Sequence, residues 1–584
     1  DIITGWNTEF FDIPYLCNRI RKVFDDDMVK KLSPWGRVHD REVYQMGRKH
    51  QAYTIYGVSA LDFFDLYRKF TYTTQERYTL DHIAFVELGE RKEGNPYDTF
   101  KEWYQKDYQS FIEYNITDVE LVDKLEDKMK LIELCLTMAY EAKVNYTDVY
   151  SQVRCWDTII YNHLLKKNII IPPREDHDKD TQYEGAYVKD PQLGLHNWIV
   201  SFDLNSLYPH LIMQYNLSPE TLVGVQPKNM GVENYLNEKF NLQWARDKNV
   251  TVAPNGSMYR RDKQGFLPEL MEKMYGDRVV FKKKTIEAKK EFQKTKDPIY
   301  KNEIARCHNI QMAKKISLNS AYGAIGNQYF RYFEKNQAEA ITVGGQLTIR
   351  WVERDVNKFM NKLLGTNNAN YIVASDTDSI YLKLDKLVEK VCKNKTTQQI
   401  VDFLNKAAED KIQKVIDESF NNLAKYVNAY EQKMIMKREA IANKGIWVAK
   451  KRYMLNLFDE EGVRYEYPKL KVMGVEAVKS STPEICRTKI KEAIRVIMNQ
   501  SEDDLIKYVA EFKEAFKKLS PEEVAFPRSC NNLTKFSDSS MIYKKGTPIH
   551  VKGALIYNYH LHKHKLEFKY PVIKDGKNIP TTCA

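Results

Sequence analysis

The chain has 584 residues, enough for several domains, and carries 90 Lys and Arg against 79 Asp and Glu, a formal charge of +11. That balance suits a nucleic-acid partner through phosphate neutralisation but does not by itself select one. Eight scattered cysteines with no CxxC give no zinc signal and fit a reducing compartment, and without any run of 18 apolar residues no membrane-spanning helix is expected. Some of the 38 tyrosines are candidates for stacking on unpaired bases, most for packing. The sequence starts at Asp1 with no signal-peptide pattern, and repeats and low-complexity tracts are absent.

In chain order, residues 1–130 read as mixed strands and helices. Residues 131–180 are helical, then polar and charged through PPREDHDKDTQ, the composition of a linker. In IVSFDLNSLYPHLI, residues 199–212, Ile199, Val200 and Phe202 make a strand that delivers Asp203. The chain then turns through Leu204, Asn205, Ser206, Leu207, Tyr208 and Pro209 into a short amphipathic segment. One carboxylate followed by backbone amides and a serine suits a metal-bound triphosphate. A long helix is predicted from Pro268 to Lys296, stopped by Asp297-Pro298, and a second runs to about Tyr322. Arg278 and Lys282 share a face of the first, Lys315 and Asn319 a face of the second, with Tyr322 one turn further. An antiparallel pair would aim Arg278, Lys282 and Lys315 at one phosphate chain, whereas Lys283, Lys284, Lys289 and Lys290 read as solvated surface.

The stretch YIVASDTDSIYL, residues 371–382, predicts a β-hairpin with Asp376 and Asp378 at its tip. Partly burying two carboxylates is costly unless a cation sits on them, and Mg²⁺ takes one or two carboxylates while leaving room for substrate phosphates. Asp203 and Asp378 are then candidates to hold two metal ions for in-line phosphoryl transfer. Residues 390–435 read as helices backing a sheet.

DLNSLYP, KKISLNSAYGAIG and ASDTDS, in that order, resemble the three polymerase motifs of family B DNA polymerases. GIWVAKKRYMLNL resembles that family's primer-contacting segment, and YEGAYV at 183–188 its short motif between exonuclease and polymerase regions. GWNTEFFDIPYL and YNITDVEL resemble its second and third exonuclease motifs. MKREAI, PKLKVMG and HVKGALIYN support the subtype of T-even-type bacteriophage replicative polymerases. The resemblance spans essentially the whole chain.

It implies an α+β multidomain protein: a partial RNase H-like exonuclease domain, then a right-hand palm, fingers and thumb built around an antiparallel palm sheet. The implied division is exonuclease at 1–130, helical connector at 131–180, palm at 181–264, fingers at 265–327, palm again at 328–475 and a truncated thumb at 476–584. The implied activity is template-directed DNA synthesis in viral replication, with two Mg²⁺ ions, Mn²⁺ being an alternative. Asp203, the Leu204 carbonyl and Asp378 would hold the metals, with Asp376 as a third carboxylate. Ser206, Leu207, Tyr208, Arg278, Lys282, Lys315 and Asn319 would bind the nucleotide, Tyr208 under its sugar. Tyr322, Gly323, Lys450, Lys451, Arg452 and Tyr453 would meet DNA; Lys451 and Tyr453, two apart, are expected on one strand face. Asp12 and Asp118 would be exonuclease metal ligands and Tyr114 would orient water. The expected partners are primer-template DNA, deoxynucleoside triphosphates and a sliding clamp gripped by a C-terminal tail absent from this sequence, in the cytoplasm of an infected bacterium. The family's first exonuclease motif, an Asp-x-Glu pair, is expected before residue 1, so this piece is expected to proofread poorly. A nuclease alone would need no triphosphate clamp, and a non-catalytic scaffold would not need Asp203, Asp376 and Asp378.

Overall fold

The computed structural model describes residues 2–45, 48–71, 73–92, 94–97, 99–175, 182–226, 230–480, 482–520, 524–574 and 578–581. Most of the linker expected at 172–182 therefore lies outside the described residues. The chain forms two compact units, Asp1–Lys189 with Val200–Ala440, and Asp190–Ile199 with Ile441–Ala584.

At the start of the first unit, Ile2–Ile3 pairs in parallel with Ser59–Ala60, and Val38–Gln45 forms an antiparallel hairpin with Arg48–Ile55. Helices follow, each begun by a side chain that accepts a backbone N–H two or three residues on: Asp62 for Phe63–Phe70, Thr79 for Leu80–Leu88, Asp107 for Tyr108–Met129. Their apolar faces close over Phe63, Leu66, Tyr67, Ile83 and Leu125. Helix Leu131–Ala142 joins this core, as does Ala313 from the far-off helix Ile299–Ile325.

The two long helices are Phe266–Thr295 and Ile299–Ile325. Pro268 lies in the first turn, where its missing N–H costs nothing. Lys296 takes a left-handed conformation at φ 58°, and Asp297 accepts the N–H of Ile299, so three residues reverse the chain and the helices pack antiparallel. The second helix runs past Tyr322 to Ile325, since no proline interrupts Ala321–Ile325. Helix Lys335–Leu364 lies nearly all buried between Gln337 and Val352 and ends at Gly365 in the left-handed region. Beside it, in order, come the ends of strands Met436–Ala449 and Gly194–Leu204 that belong to this unit, then Ser379–Lys383 and Ile372–Asp376. Helices Asp385–Val391, Thr397–Ala407 and Gln413–Tyr426 fill the predicted helical stretch, with a π-helical turn at Ala408–Ile412.

In the second unit Arg452–Glu460 pairs antiparallel with Val463–Met473. Met454, Val475, Ala477, Ile494 and Met498 form its core, the last two from helix Glu484–Asn499. Helices Glu502–Phe516 and Ile549–Lys563 complete what is described there.

Candidate active site

The hairpin forms as the sequence predicts. Ser379 pairs with Asp376 and Ile380 with Ser375, leaving Thr377 and Asp378 as a two-residue turn. Thr377 sits at φ 57°, a region that a β-branched residue seldom enters. Three contacts hold it: its N–H donates to the Tyr187 carbonyl at 3.0 Å, its hydroxyl donates to Asp376 Oδ1 at 3.0 Å, and the Asp378 N–H donates to the Asp376 carbonyl at 2.6 Å. Strand Gly194–Leu204 arrives alongside, with Ile199, Val200 and Phe202 buried and the Leu204 N–H donating to the Asp378 carbonyl at 2.8 Å. That bond places Asp203, at the end of its strand, beside Asp378 in the neighbouring turn. Asp203, Asp376 and Asp378 are all half-buried.

Just beyond, Ser206 is also left-handed, at φ 47° and ψ 58°, and opens helix Leu207–Tyr215. Two strained non-glycine residues this close to three carboxylates are the signature of a functional turn. Among the described residues no three Asp, Glu, His or Cys side chains close into a group that could hold a metal unaided. The donors at hand are hard oxygens, and a divalent ion shared with substrate phosphates needs only one or two carboxylates from the protein. Asp203, Asp378 and the Leu204 carbonyl fit that role.

The cations come from the long helices. Lys314 Nζ meets Asp277 at 3.1 Å and Glu141 at 2.8 Å, and is itself only 6 % exposed. This pair fixes the level of one helix against the other, so Arg278 and Lys315, each one residue further on, stand at that level too. Lys315 and Lys282 have no ion-pair or hydrogen-bond partner among the described residues. Arg278 reaches Ser206 Oγ with Nη1 at 3.4 Å, and its Nε is buried with no partner. Burial holds the Arg278 guanidinium below its usual pKa, so it is a desolvated cation without an acid. Lys283, Lys284, Lys289 and Lys290 are exposed, as expected.

Lys315, Asn319 and Tyr322 follow one helix face. Asn319 and Gly323 are exposed; Tyr322 packs its ring 4.7 Å from that of Tyr208. Gly345 is also near Tyr208: a Cβ added there would come 3.5 Å from the ring. Burial raises the Tyr208 pKa, and the nearby Asp378 charge adds to it. Segment 183–188 straps these parts together. Tyr322 donates to the Tyr183 hydroxyl, Thr342 and Gln346 donate to the carbonyls of Glu184 and Gly185, and Val188 bridges to Asp376. Sequence reading gave this strap no site residue.

Comparison with known proteins shows the family. Residues 144–555 match the family description "DNA polymerase family B", and residues 1–83 match "DNA polymerase family B, exonuclease domain". Over 95 % of its length the chain is 36 % identical to a DNA-directed DNA polymerase of Escherichia phage RB69 and 34 % identical to one of Enterobacteria phage T4, covering 67 % of each. It is 28 % identical to the DNA polymerase delta catalytic subunit of Drosophila melanogaster, over 65 % of this chain and 34 % of that protein. The chain belongs to DNA polymerase family B.

This family B polymerase has a second acidic cluster, with Asp12 and Asp62 inside the exonuclease-domain match and Asp118 beyond it. Asp12 opens helix Asp12–Val23; burial raises its carboxyl pKa, and the charges of Asp62 and Asp118 raise it further. Tyr114 and Asp118 lie one turn apart on helix Tyr108–Met129. Two members of this cluster escaped the sequence reading. Asp62 is buried and accepts the N–H groups of Asn7, Glu9 and Phe64, which fixes the GWNTEF loop. Lys92 lies 2.6 Å from Asp118 and 5.4 Å from the Tyr114 ring centroid.

In the second unit of the polymerase, the expectation for Lys451 and Tyr453 needs correction. Lys450 and Lys451 are not strand residues: they form the turn between Met436–Ala449 and Arg452–Glu460, and Lys451 is left-handed at φ 60°. The two-residue alternation of a strand therefore does not relate Lys451 to Tyr453. Tyr453 is buried, stacked 5.6 Å from Trp447, while Lys450 pairs with Asp190 at 3.0 Å and Arg452 with Glu476 at 2.5 Å. Gly474 closes on the turn: at φ 68°, a Cβ there would lie 2.1 Å from the Lys451 carbonyl oxygen. No helix among the described residues is long and apolar enough to cross a membrane.

Proposed function

We propose that the site at Asp203 and Asp378 adds deoxynucleotides to a primer 3′-hydroxyl under template direction, in viral DNA replication. The chain is a DNA-directed DNA polymerase of family B, and DNA and deoxynucleoside triphosphates are its substrates. Family B polymerases depend on divalent metal. Here Asp203, Asp378 and the Leu204 carbonyl would hold two Mg²⁺ ions, which when bound neutralise phosphate charge and make the 3′-hydroxyl a better nucleophile. Asp376 orients the turn through its bond from Thr377.

Arg278, Lys282 and Lys315 bind the triphosphate, and the Ser206 and Leu207 amides assist. A fixed array of cations in a partly desolvated site stabilises charge on the transferring phosphoryl group without reorganising. Tyr208, packed on Tyr322 and near Gly345, forms the floor under the sugar and excludes a 2′-hydroxyl. Asn319, Tyr322 and Gly323 face the incoming and templating bases; Lys450, Lys451 and Arg452 hold the primer strand, with Tyr453 packing beneath their turn. The domain reading is exonuclease 1–130, connector 131–180, palm 181–264 and 328–475, fingers 265–327 and thumb 476–584. Asp12, Tyr114 and Asp118 serve 3′–5′ proofreading. The relevant setting is an infected bacterial cytoplasm with a sliding clamp as partner.

The observation that carries this reading is the set of cations without acids, above all the buried, unpartnered Nε of Arg278. Hydrolysis alone needs no such arm, and a scaffold would leave a buried cation uncompensated. Primer extension with and without Mg²⁺ tests it: metal-dependent, template-directed addition is expected, and chain shortening alone would favour a nuclease.

A further inference from the structure

The left-handed turn at Ser206 is held by a residue with no part in the reading above. His210 is 2 % exposed and lies one turn into helix Leu207–Tyr215. Its backbone N–H donates to the Ser206 carbonyl at 3.1 Å, the ordinary first bond of the helix, and its Nδ1 lies 2.9 Å from the same oxygen. A carbonyl only accepts, so Nδ1 carries the proton, and both lone pairs of the Ser206 oxygen are taken. The imidazole then stands perpendicular to the Tyr275 ring, 4.5 Å between centroids. Tyr275 is three residues before Arg278 on the first long helix, on the same face. Arg278 in turn donates to the Ser206 hydroxyl. One buried ring therefore touches both halves of a small circuit: the turn that carries Ser206, and the helix that carries Arg278.

We propose that His210 is a positioning residue for nucleotide binding, holding the Ser206 turn and the Arg278 arm in mutual register through its Nδ1–H and its contact with Tyr275. It does not touch substrate. Burial, with Lys433 and Arg278 close by, lowers its pKa, which keeps the ring neutral. The proposal rests on the assignment of Ser206 and Arg278 to the triphosphate.

The test is single-nucleotide incorporation at varied deoxynucleotide concentration by the whole chain. His210→Phe keeps a ring against Tyr275 but removes the donor; His210→Asn places an amide nitrogen where Nδ1 stood. The phenylalanine variant is expected to raise KM for the nucleotide about tenfold with kcat within about threefold, and the asparagine variant to restore KM to within about threefold of the parent. Equal KM values for the two variants, or a loss in kcat at unchanged KM, overturns the proposal. If the phenylalanine variant fails to fold on thermal melting, the asparagine variant decides alone: a KM rise above about fivefold overturns the proposal and a smaller one upholds it. Arg278→Ala separates the two levels. If it leaves KM unchanged, the triphosphate assignment fails; if it raises KM while His210→Phe does not, only the role of His210 fails.

Discussion

Asp378 sits where three constraints meet: a strained turn, a carbonyl shared with Leu204, and the strand that carries Asp203. Asp378→Asn keeps the shape and removes the charge. Nucleotide addition is expected to fall by about 10³-fold or more, roughly 4 kcal/mol of transition-state stabilisation, with primer-template affinity nearly unchanged. Single-turnover extension beside an equilibrium DNA titration checks both; extension near the parental rate would sink the metal assignment. Tyr208 makes a different kind of claim. Its ring packs on Tyr322 and stands near Gly345. Tyr208→Ala is expected to raise ribonucleotide relative to deoxyribonucleotide incorporation by about tenfold or more, since a steric wall is worth on the order of 1–3 kcal/mol. An unchanged ratio removes the gate. At this scale carboxylates and lysines in apolar surroundings stand out in the sequence, which is how Asp203, Asp376, Asp378 and Lys315 could be singled out. The sequence did not show His210, Tyr183 or Asp62. Their roles depend on which backbone carbonyl, hydroxyl or amide happens to lie opposite, and linear spacing says nothing of that.

Elements were legible where periodicity and punctuation agreed. The hairpin at 372–383 and the two long helices came through with boundaries within a few residues, because Asp297-Pro298 and the β-branched runs leave little choice. The turn at Lys450-Lys451 did not, because two lysines inside an apolar run look like strand surface until the left-handed φ of Lys451 is seen. That turn yields a prediction. Gly474→Ala places a methyl on the Lys451 carbonyl and forces a side chain into the left-handed region. A loss of about 2 kcal/mol or more is expected, seen as a thermal transition several degrees lower, together with weaker primer-template binding. A melt superimposable on that of the parent would show that the turn gives way freely. Lys314 is the corresponding fixture of the long helices. Lys314→Met keeps the length and loses both ion pairs, to Glu141 and Asp277. Because those carboxylates remain 44 % and 42 % exposed, the cost is expected near about 1 kcal/mol rather than the larger value of a fully buried pair. Faster amide hydrogen exchange in helix Leu131–Ala142 is the readout, and unaltered exchange would mean that apolar packing alone holds the helices.

For the molecule as a whole, the excess of 90 basic over 79 acidic residues sets how it meets DNA. Many of those bases are spoken for: Lys314, Lys433, Arg331 and Arg354 each pair with acids inside the first unit. The cations proposed to meet phosphates fall into two groups, the triphosphate arm at Arg278, Lys282 and Lys315, and the turn at Lys450 and Lys451, where Lys450 also pairs with Asp190. They answer to different ligands, so they separate by salt. Log affinity for primer-template DNA is expected to fall linearly with log salt concentration, each neutralised phosphate adding about 0.9 to the slope. Lys451→Ala removes one phosphate contact from the duplex and should lower that slope by about 1. Lys282→Ala removes a contact with the triphosphate and should leave the duplex slope alone while raising KM for the nucleotide. Fluorescence anisotropy of labelled primer-template across a series of salt concentrations measures the first quantity, and steady-state incorporation the second. If Lys451→Ala left the slope unchanged while Lys282→Ala reduced it, the two groups would be assigned the wrong way round.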